Sequence, residues 1–326
     1  MIIKSAFKPA SGFSHCHLQT LLPTLLNKKN KKQYFWQELT LPDSDFVDLC
    51  WNQEPDLNDK RPLVIIFHGL EGSINSPYAQ HIMQAMQQKN WNAVLMHFRG
   101  CSGRANNLPR AYHSGDTADA RFLIGHLQSQ FPGVPLLAAG YSLGGNMLLK
   151  LQAEYAGQSP LKAAVSVCAP IQLEKCADRI DQGFSKIYQK HLMKRLVDGL
   201  LRKYAQHDFL SLVNLPANKA RQLKTFWQFD EAFTAPIHGF ASAENYYKKS
   251  SARQYLKNIT QPTLALQALD DPFMSADVIP DEAELGSGLT LEVSRYGGHV
   301  GFVSGSVFRP RYWLPERISE FFSEHL

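Results

Sequence analysis

Short runs of almost uninterrupted apolar residues recur along this chain, and helix-like stretches separate the later ones. A strand covered on one face alternates apolar and polar side chains, whereas a strand buried on both faces stays apolar throughout. The runs of this kind are 63–68, 93–98, 136–141, 163–169 and 263–269. The pattern therefore predicts a parallel sheet whose strands are covered on both faces.

Three more segments complete a predicted sheet of eight strands. Segments 34–41 and 46–51 flank Pro42-Asp43-Ser44-Asp45, a hairpin-like turn, and segment 290–296 alternates in the manner of a strand near an edge. The predicted helices are 77–89, 116–130, 142–155 and 313–325. We therefore expect an α/β fold with a sheet that is antiparallel at its start and parallel afterwards, flanked by helices.

One interval is far too long for an ordinary connection. About ninety residues separate the sixth predicted strand from the seventh, whereas most connections have a median of about 4–6 residues. Within this interval, residues 184–204 have the spacing of an amphipathic helix, which either packs on the core or forms a lid that could touch lipid. The predicted domains are a core of residues 1–170 and 262–326 and a helical cap of residues 171–261.

Charge and cysteine content argue against several classes of function. The chain has 34 lysines and arginines against 29 acidic residues, and the net charge of +5 is too small and too dispersed to indicate a nucleic-acid partner. The densest basic cluster, Lys28, Lys29, Lys31 and Lys32, fits a solvated turn. Neither the five cysteines nor the histidines show metal-site spacing, so we expect no metal and no cofactor.

The chain also has no obvious membrane or export signal. No apolar run approaches the length that spans a bilayer, and the first residues lack the apolar region of a signal peptide. We therefore expect a cytoplasmic protein with at most peripheral membrane contact, made through the cap.

A Gly-x-Ser-x-Gly pattern marks the junction between an apolar run and a helix-forming segment. It reads Gly140-Tyr141-Ser142-Leu143-Gly144, the sequence form of a nucleophile elbow. The turn is so tight that its flanking residues must be small, and the N–H groups at the start of the next helix are free to bind an oxyanion. The pattern makes Ser142 the candidate nucleophile.

A serine needs a base, and the base needs a carboxylate to orient it. In a sheet of this type the partners follow in the order serine, acid, histidine, each after a later strand. His299 follows the last predicted strand between glycines, and the acid is Asp270 or Asp271, directly after the seventh. We favour Asp271, with Asp270 as the alternative.

The remaining candidates would bind the oxyanion. One donor is the N–H of Leu143, which follows the serine. The other is the N–H of Leu70, in the loop His68-Gly69-Leu70-Glu71-Gly72-Ser73 that follows the third predicted strand. We expect His68 to brace that loop by hydrogen bonding and not to act as a second base.

Six motifs together resemble the α/β-hydrolase superfamily, and more narrowly its YheT-type branch, which is related to the eukaryotic ABHD hydrolases. They are His17-Leu18-Gln19-Thr20, His68 to Ser73, Phe98-Arg99-Gly100-Cys101-Ser102-Gly103, Gly140 to Asn146, Asp270-Asp271-Pro272-Phe273 and Gly297 to Phe302. The resemblance implies an α/β-hydrolase fold with a helical cap after strand six. It also implies a serine hydrolase that acts on carboxylic esters without a cofactor.

The substrate is not inherited with the fold. The cap contains the clustered aromatic residues Phe226, Trp227, Phe229, Phe233, Phe240, Tyr246 and Tyr247. They either admit short- to medium-chain acyl groups or lipid-like esters, or form the cap's own small core. An acyltransferase that moves the acyl group to an alcohol is the main alternative, and a non-catalytic binding protein on a hydrolase scaffold is the other.

Overall fold

Within the residues that the structure describes, nine strands form one sheet at the centre of the molecule. The computed structural model describes residues 1–26, 33–306 and 309–326, so the basic cluster between Lys28 and Lys32 lies outside the described residues. The strands are β1 (Ile2–Lys4), β2 (Phe35–Thr40), β3 (Phe46–Trp51), β4 (Leu63–Phe67), β5 (Asn92–Met96), β6 (Leu136–Tyr141), β7 (Leu161–Val167), β8 (Thr263–Ala268) and β9 (Leu289–Ser294). Their order in the sheet is β1-β9-β8-β7-β6-β4-β5-β3-β2.

The predicted α/β class with a mostly parallel sheet is confirmed, but the predicted count of eight strands is wrong. The pairs β2–β3 and β3–β5 are antiparallel, and the other pairs in the sheet are parallel. The additional strand is β1, which pairs with β9 from Ile2 opposite Leu291 to Lys4 opposite Val293. Three residues at an edge are too few to show a periodicity, so the sequence pattern did not reveal it.

Helices cover both faces of the sheet, and β4 shows why its run is apolar throughout. Val64 and Ile66 belong to one hydrophobic cluster, whereas Ile65 and Phe67 belong to the cluster on the opposite face. Outside the long interval, the helices are α1 (Cys16–Leu26), α2 (Pro77–Gln88), α3 (Ala118–Gln130), α4 (Leu143–Tyr155) and α12 (Trp313–Ser323). A small hairpin of β10 (Val303–Ser306) and β11 (Arg309–Tyr312) precedes α12.

The chain between β7 and β8 is helical, and we call residues 171–261 the insertion. Its helices are α5 (Leu173–Ile180), α6 (Ser185–Lys203), α7 (Phe209–Val213), α8 (Ala217–Ala220), α9 (Phe226–Phe229), a π-helical turn (Asp230–Thr234), α10 (Ala235–Ile237), α11 (Ala243–Ser250) and a 3-10 turn (Arg253–Asn258). Shorter 3-10 turns lie at 276–278 and 282–284. No helix within the described ranges is long and apolar enough to cross a membrane.

Candidate active site

Ser142 occupies a strained turn between β6 and α4. Its backbone has φ +51° and ψ −117°, a conformation that few residues other than glycine adopt. A Cβ on Gly140 would lie 2.4 Å from the Gly144 carbonyl oxygen, and one on Gly144 would lie 2.5 Å from the His68 carbonyl oxygen. Both positions therefore require glycine, because the backbone around the serine leaves no room for a side chain.

Three side chains from separate loops form a continuous hydrogen-bonded chain. His299 Nε2 lies 2.9 Å from Ser142 Oγ, and His299 Nδ1 lies 2.8 Å from Asp271 Oδ2. The other Asp271 oxygen accepts the Phe273 N–H at 2.8 Å, and the carboxylate is almost fully buried. A carboxylate that accepts a hydrogen bond from the Nδ1–H group keeps the proton on Nδ1. The unprotonated Nε2 is then the acceptor for the serine proton.

The loop that carries His299 is held from several sides. Thr20 Oγ1 on α1 accepts the His299 N–H at 2.9 Å. The imidazole stacks on the Phe273 ring with centroids 3.9 Å apart and planes 7° apart. Gly298 has φ +57° and lies against α1, where a Cβ would meet the Cys16 carbonyl oxygen at 2.5 Å. These contacts fix the ring in the plane that reaches both Ser142 and Asp271.

The second acid candidate, Asp270, has a different hydrogen-bond partner from Asp271. Its Oδ1 accepts the Gly298 N–H at 2.9 Å, while its buried Oδ2 has no hydrogen-bond partner among the described residues. Burial raises the pKa of this carboxyl group. Asp270 thus contacts the backbone of the histidine loop, and Asp271 is the acid that contacts the imidazole.

The proposed oxyanion donors lie on the two sides of Ser142. Leu143 opens α4, so its N–H is one of the four that have no acceptor within the helix. Leu70 follows Gly69, whose N–H donates to the Tyr78 hydroxyl at 2.8 Å. A Cβ on Gly69 would lie 3.2 Å from Ser142 Cβ, which shows how closely this loop approaches the serine.

His68 is buried behind that loop, and each of its ring nitrogens contacts a backbone group. Its Nε2 accepts the Phe98 N–H at 3.0 Å, so the proton sits on Nδ1, which lies 2.7 Å from the Gly69 carbonyl oxygen. Burial lowers the pKa of His68 to about 3, so the ring stays neutral. These contacts are those of a brace, and they leave no ring nitrogen free to accept a proton.

A half-buried pair of side chains beside the oxyanion loop, Glu71 and Tyr112, has no signature in the sequence. The Tyr112 hydroxyl accepts the Glu71 N–H at 2.8 Å and donates to Glu71 Oε1 at 3.0 Å. Glu71 has φ +54°, and burial raises the pKa of its carboxyl group. The pair holds the residue next to Leu70 in a left-handed conformation. Glu71 and Tyr112 are 41 residues apart, and nothing in their spacing indicates the contact.

Two cavities meet at Ser142. One, the insertion cavity, lies between the core and the insertion and also touches Leu143 and His299. Its apolar wall includes Leu173, Ile180, Leu192, Leu196, Leu200, Phe226, Phe229 and Phe233. The other, the α1 cavity, runs between α1, the oxyanion loop and α6, and its wall includes Thr20, Pro23, Tyr78, His191, Arg195 and Tyr312. Ser142 thus borders two cavities that lie on different sides of it.

Cys168 lies beside the acid and the base. Its Sγ lies within 4.8 Å of a side-chain oxygen of Asp271 and a ring nitrogen of His299. Among the described residues, these three side chains are the one cluster whose spacing would suit a metal ion. Burial keeps the pKa of the thiol well above its usual range, and Sγ accepts the Val300 N–H at 3.4 Å. A neutral thiol that contacts the loop fits this environment better than a thiolate ligand does.

The chain is similar to known ester hydrolases over most of its length. Residues 62–306 match the family described as alpha/beta hydrolase fold. YheT of Escherichia coli (strain K12), named for an inferred esterase activity, is 44% identical over 98% of this chain and 94% of its own. Phospholipase ABHD3 of Mus musculus is 28% identical over 88% of this chain and 71% of its own.

A solved structure supports the same fold. An esterase of Pyrococcus furiosus superposes with a TM-score of 0.59 at 18% identity and covers 90% of this chain and 91% of its own. At this identity the likeness concerns the fold alone.

Proposed function

This chain belongs to the YheT-type branch of the α/β-hydrolase family and is an ester hydrolase, and we propose that it cleaves carboxylic esters through an acyl-enzyme on Ser142. The observation that carries the proposal is the hydrogen-bonded chain from Asp271 through His299 to Ser142 Oγ, with links of 2.8 and 2.9 Å. Each link has the geometry that general-base activation of a serine requires.

The reaction follows from the roles of these three groups. His299 Nε2 takes the hydroxyl proton as Ser142 Oγ bonds to the ester carbonyl carbon, and Asp271 stabilises the imidazolium. The carbonyl π electrons move onto oxygen and then return, the bond to the alcohol oxygen breaks, and His299 gives that oxygen the proton. Water then attacks the acyl-enzyme by the same sequence, which releases the acid and restores Ser142.

The oxyanion formed in each half-reaction would be bound by the N–H groups of Leu70 and Leu143. Such a donor is worth about 2.7–4 kcal/mol of transition-state stabilisation in other serine hydrolases. The Glu71–Tyr112 pair supports this assignment, because it fixes the backbone next to Leu70 through hydrogen bonds of 2.8 and 3.0 Å. Tyr112 is therefore a positioning residue in the proposed mechanism.

The two cavities suggest how an ester would lie. The insertion cavity is mostly apolar and fits a short- to medium-chain acyl group, which makes residues 171–261 a cap over the core of residues 1–170 and 262–326. Some aromatic residues of the insertion suit both roles that the sequence left open. Phe226, Phe229 and Phe233 border the cavity and also belong to the insertion's own hydrophobic clusters.

The α1 cavity would then hold the alcohol part of the ester and admit the second nucleophile. Because this cavity also reaches Ser142, an alcohol could resolve the acyl-enzyme in place of water. Acyl transfer is therefore the second candidate. Adding ethanol to the reaction and measuring ethyl ester against free acid separates the two outcomes.

A panel of nitrophenyl esters of increasing chain length tests the main proposal. Wild-type protein is expected to hydrolyse short- and medium-chain members, and Ser142→Ala is expected to lose at least about 10⁴-fold in kcat. A fluorophosphonate probe should label wild type at Ser142 and leave Ser142→Ala unlabelled. Turnover that survives in Ser142→Ala, or labelling at another residue, would refute the proposed nucleophile.

A further inference from the structure

Helix α1 exposes most of its leucines to solvent, which is unusual for a helix on the surface of a globular protein. Its buried residues are Gln19 and Pro23, whereas Leu18, Leu21, Leu25 and Leu26 are 43%, 37%, 76% and 39% exposed. A helix that packs on a core normally directs its apolar side inward. Here the inward side carries two polar residues, Gln19 and Thr20, whose side chains hold neighbouring loops.

The hydrogen bonds of Gln19 and Thr20 account for polar residues on the inward side. The Gln19 amide accepts the Val303 N–H at 2.7 Å and donates to the Val303 carbonyl at 3.1 Å, as a neighbouring strand would. Thr20 Oγ1 accepts the His299 N–H at 2.9 Å. These bonds fix the orientation of α1, so the leucines cannot turn inward without releasing the His299 loop.

The exposed leucines continue into a second apolar surface at the start of α6. Phe184 and Ile187 are 47% and 57% exposed. His17 joins the two helices, since its ring lies 4.3 Å from the Phe184 ring and its Nδ1 lies 3.1 Å from the Tyr188 hydroxyl. The apolar patch, as we use the term below, comprises Leu18, Leu21, Leu25, Leu26, Phe184 and Ile187. Contiguous exposed apolar surface of this kind is typical of a binding site.

Cationic side chains border the apolar patch. Lys186, Lys190 and Lys194 are exposed along α6, which carries six lysines and arginines and one aspartate. Lys194 pairs with Asp198 at 2.6 Å, while Lys186 and Lys190 make no ion pair within the part of the chain that the structure describes. Apolar side chains beside free cations complement a surface that is apolar inside and anionic outside.

The apolar patch also lies beside an entrance to the nucleophile. Thr20, Pro23 and Thr24 of α1 and His191, Leu192 and Arg195 of α6 form two sides of the α1 cavity that reaches Ser142. A second copy of the chain is a poorer occupant, because a symmetric contact through the patch would bring the same unpaired lysines of both copies together.

We propose that α1 and the start of α6 form a docking surface for an anionic lipid bilayer. The leucines, Phe184 and Ile187 enter the headgroup boundary, Lys186 and Lys190 contact anionic headgroups, and the α1 cavity then faces the bilayer. The sequence assigned any membrane contact to the cap alone. The structure instead assigns four of the six patch residues to α1, which lies between β1 and β2.

The test measures binding without turnover, so its outcome is independent of the proposed reaction. Ser142→Ala protein is sedimented with phosphatidylcholine vesicles that contain or lack phosphatidylglycerol. We expect binding that needs the anionic lipid, weakens with added salt, and falls at least about tenfold when Leu25→Ser and Ile187→Ser are added. Lys186→Glu with Lys190→Glu should remove the preference for phosphatidylglycerol.

Matched controls use exposed leucines elsewhere. Leu210 and Leu212 on α7 are 54% and 50% exposed, so Leu210→Ser with Leu212→Ser removes similar apolar area outside the patch and should leave binding unchanged. The Leu25→Ser, Ile187→Ser pair, placed in active protein, should keep wild-type turnover of a water-soluble ester. An absence of vesicle binding, an equal loss in the α7 control, or a dimer that the patch variant abolishes would overturn the proposal.

Discussion

Asp270 and Asp271 are adjacent, yet their carboxylates contact different parts of the histidine loop. Asp271 accepts from the imidazole at 2.8 Å and from the Phe273 N–H at 2.8 Å, whereas Asp270 accepts from the Gly298 N–H at 2.9 Å. Successive side chains in a loop that leaves a strand point in different directions. One acid can therefore orient the ring while its neighbour holds the loop.

The two aspartates should therefore differ sharply in their effect on kcat. Asp271→Asn puts an amide beside Nδ1, favours the wrong tautomer, and is expected to lower kcat by about 10⁴-fold. Asp270→Asn is the matched control, because its amide oxygen still accepts from Gly298 N–H, and its kcat should fall less than about tenfold. The check is kcat for one nitrophenyl ester in both variants; the opposite ranking would assign the acid to Asp270.

How much of the site can be anticipated from sequence depends on what positions each residue. Ser142, the acid and His299 follow strands whose carboxyl ends meet at one edge of a parallel sheet, so chain order alone brings them into the same region. The choice between Asp270 and Asp271 depends on the direction of each side chain in one loop. Their positions in the sequence favoured Asp271 but could not exclude Asp270. Tyr112 was missed because its partner Glu71 is distant in sequence.

Within the insertion, the half-buried Asp230 has a carboxyl group with a raised pKa. It lies in the π-helical turn and borders the insertion cavity, and its Oδ2 accepts the Tyr247 hydroxyl of α11 at 2.7 Å. Burial raises the pKa of Asp230 to about 6. The native protein therefore holds this proton at pH values where an unfolded chain, with an ordinary aspartate pKa, has released it.

This shift predicts a pH-dependent difference between wild type and Asp230→Asn. The raised pKa favours the native state of wild type below about pH 4, and this contribution is lost as pH rises through about 6. Asparagine accepts the Tyr247 hydrogen bond without ionising. The Tm of the variant minus that of wild type should thus grow between pH 4 and pH 6 and then level off. Thermal melts across that range check it, and a constant difference would contradict the raised pKa.

At the scale of elements, the sequence predicted the strands and helices in which apolar residues recur with a regular spacing. Strand β4 was predicted because its residues are all apolar, as burial on both faces requires. Helix α6 was predicted because its leucines recur on one side. Helix α1 was not predicted, since Pro23 interrupts it and its apolar side faces outward. Periodicity shows that a helix has two sides, but hydrogen bonds from Gln19 and Thr20 decide which side turns inward.

The insertion and the core are joined by a buried charged network at the end of α6. Lys203 Nζ donates to Asn106 Oδ1 at 3.0 Å and to the Arg110 carbonyl at 2.7 Å. Asn106 in turn donates to Asp45, which also pairs with Arg99 at 2.9 Å. Burial lowers the pKa of Lys203 to about 8. A cation buried in this way is costly to leave unpaired, so it favours a fixed junction between α6 and the core.

A fixed α6 makes Gly199 a position from which the insertion cavity can be narrowed. Gly199 lines this cavity, and among the described residues, apart from the backbone of α6 itself, a Cβ there would have the Arg202 guanidinium as its one neighbour within 4 Å, at 3.7 Å. Gly199→Ala, the control, should raise the Tm, because alanine in a helix interior is favoured over glycine by about 1 kcal/mol, and should keep the chain-length profile. Gly199→Leu puts its side chain where the acyl group would lie, so kcat/KM should fall at least about tenfold for medium-chain nitrophenyl esters and little for the acetate. An equal loss at every chain length would instead place the acyl group in the α1 cavity.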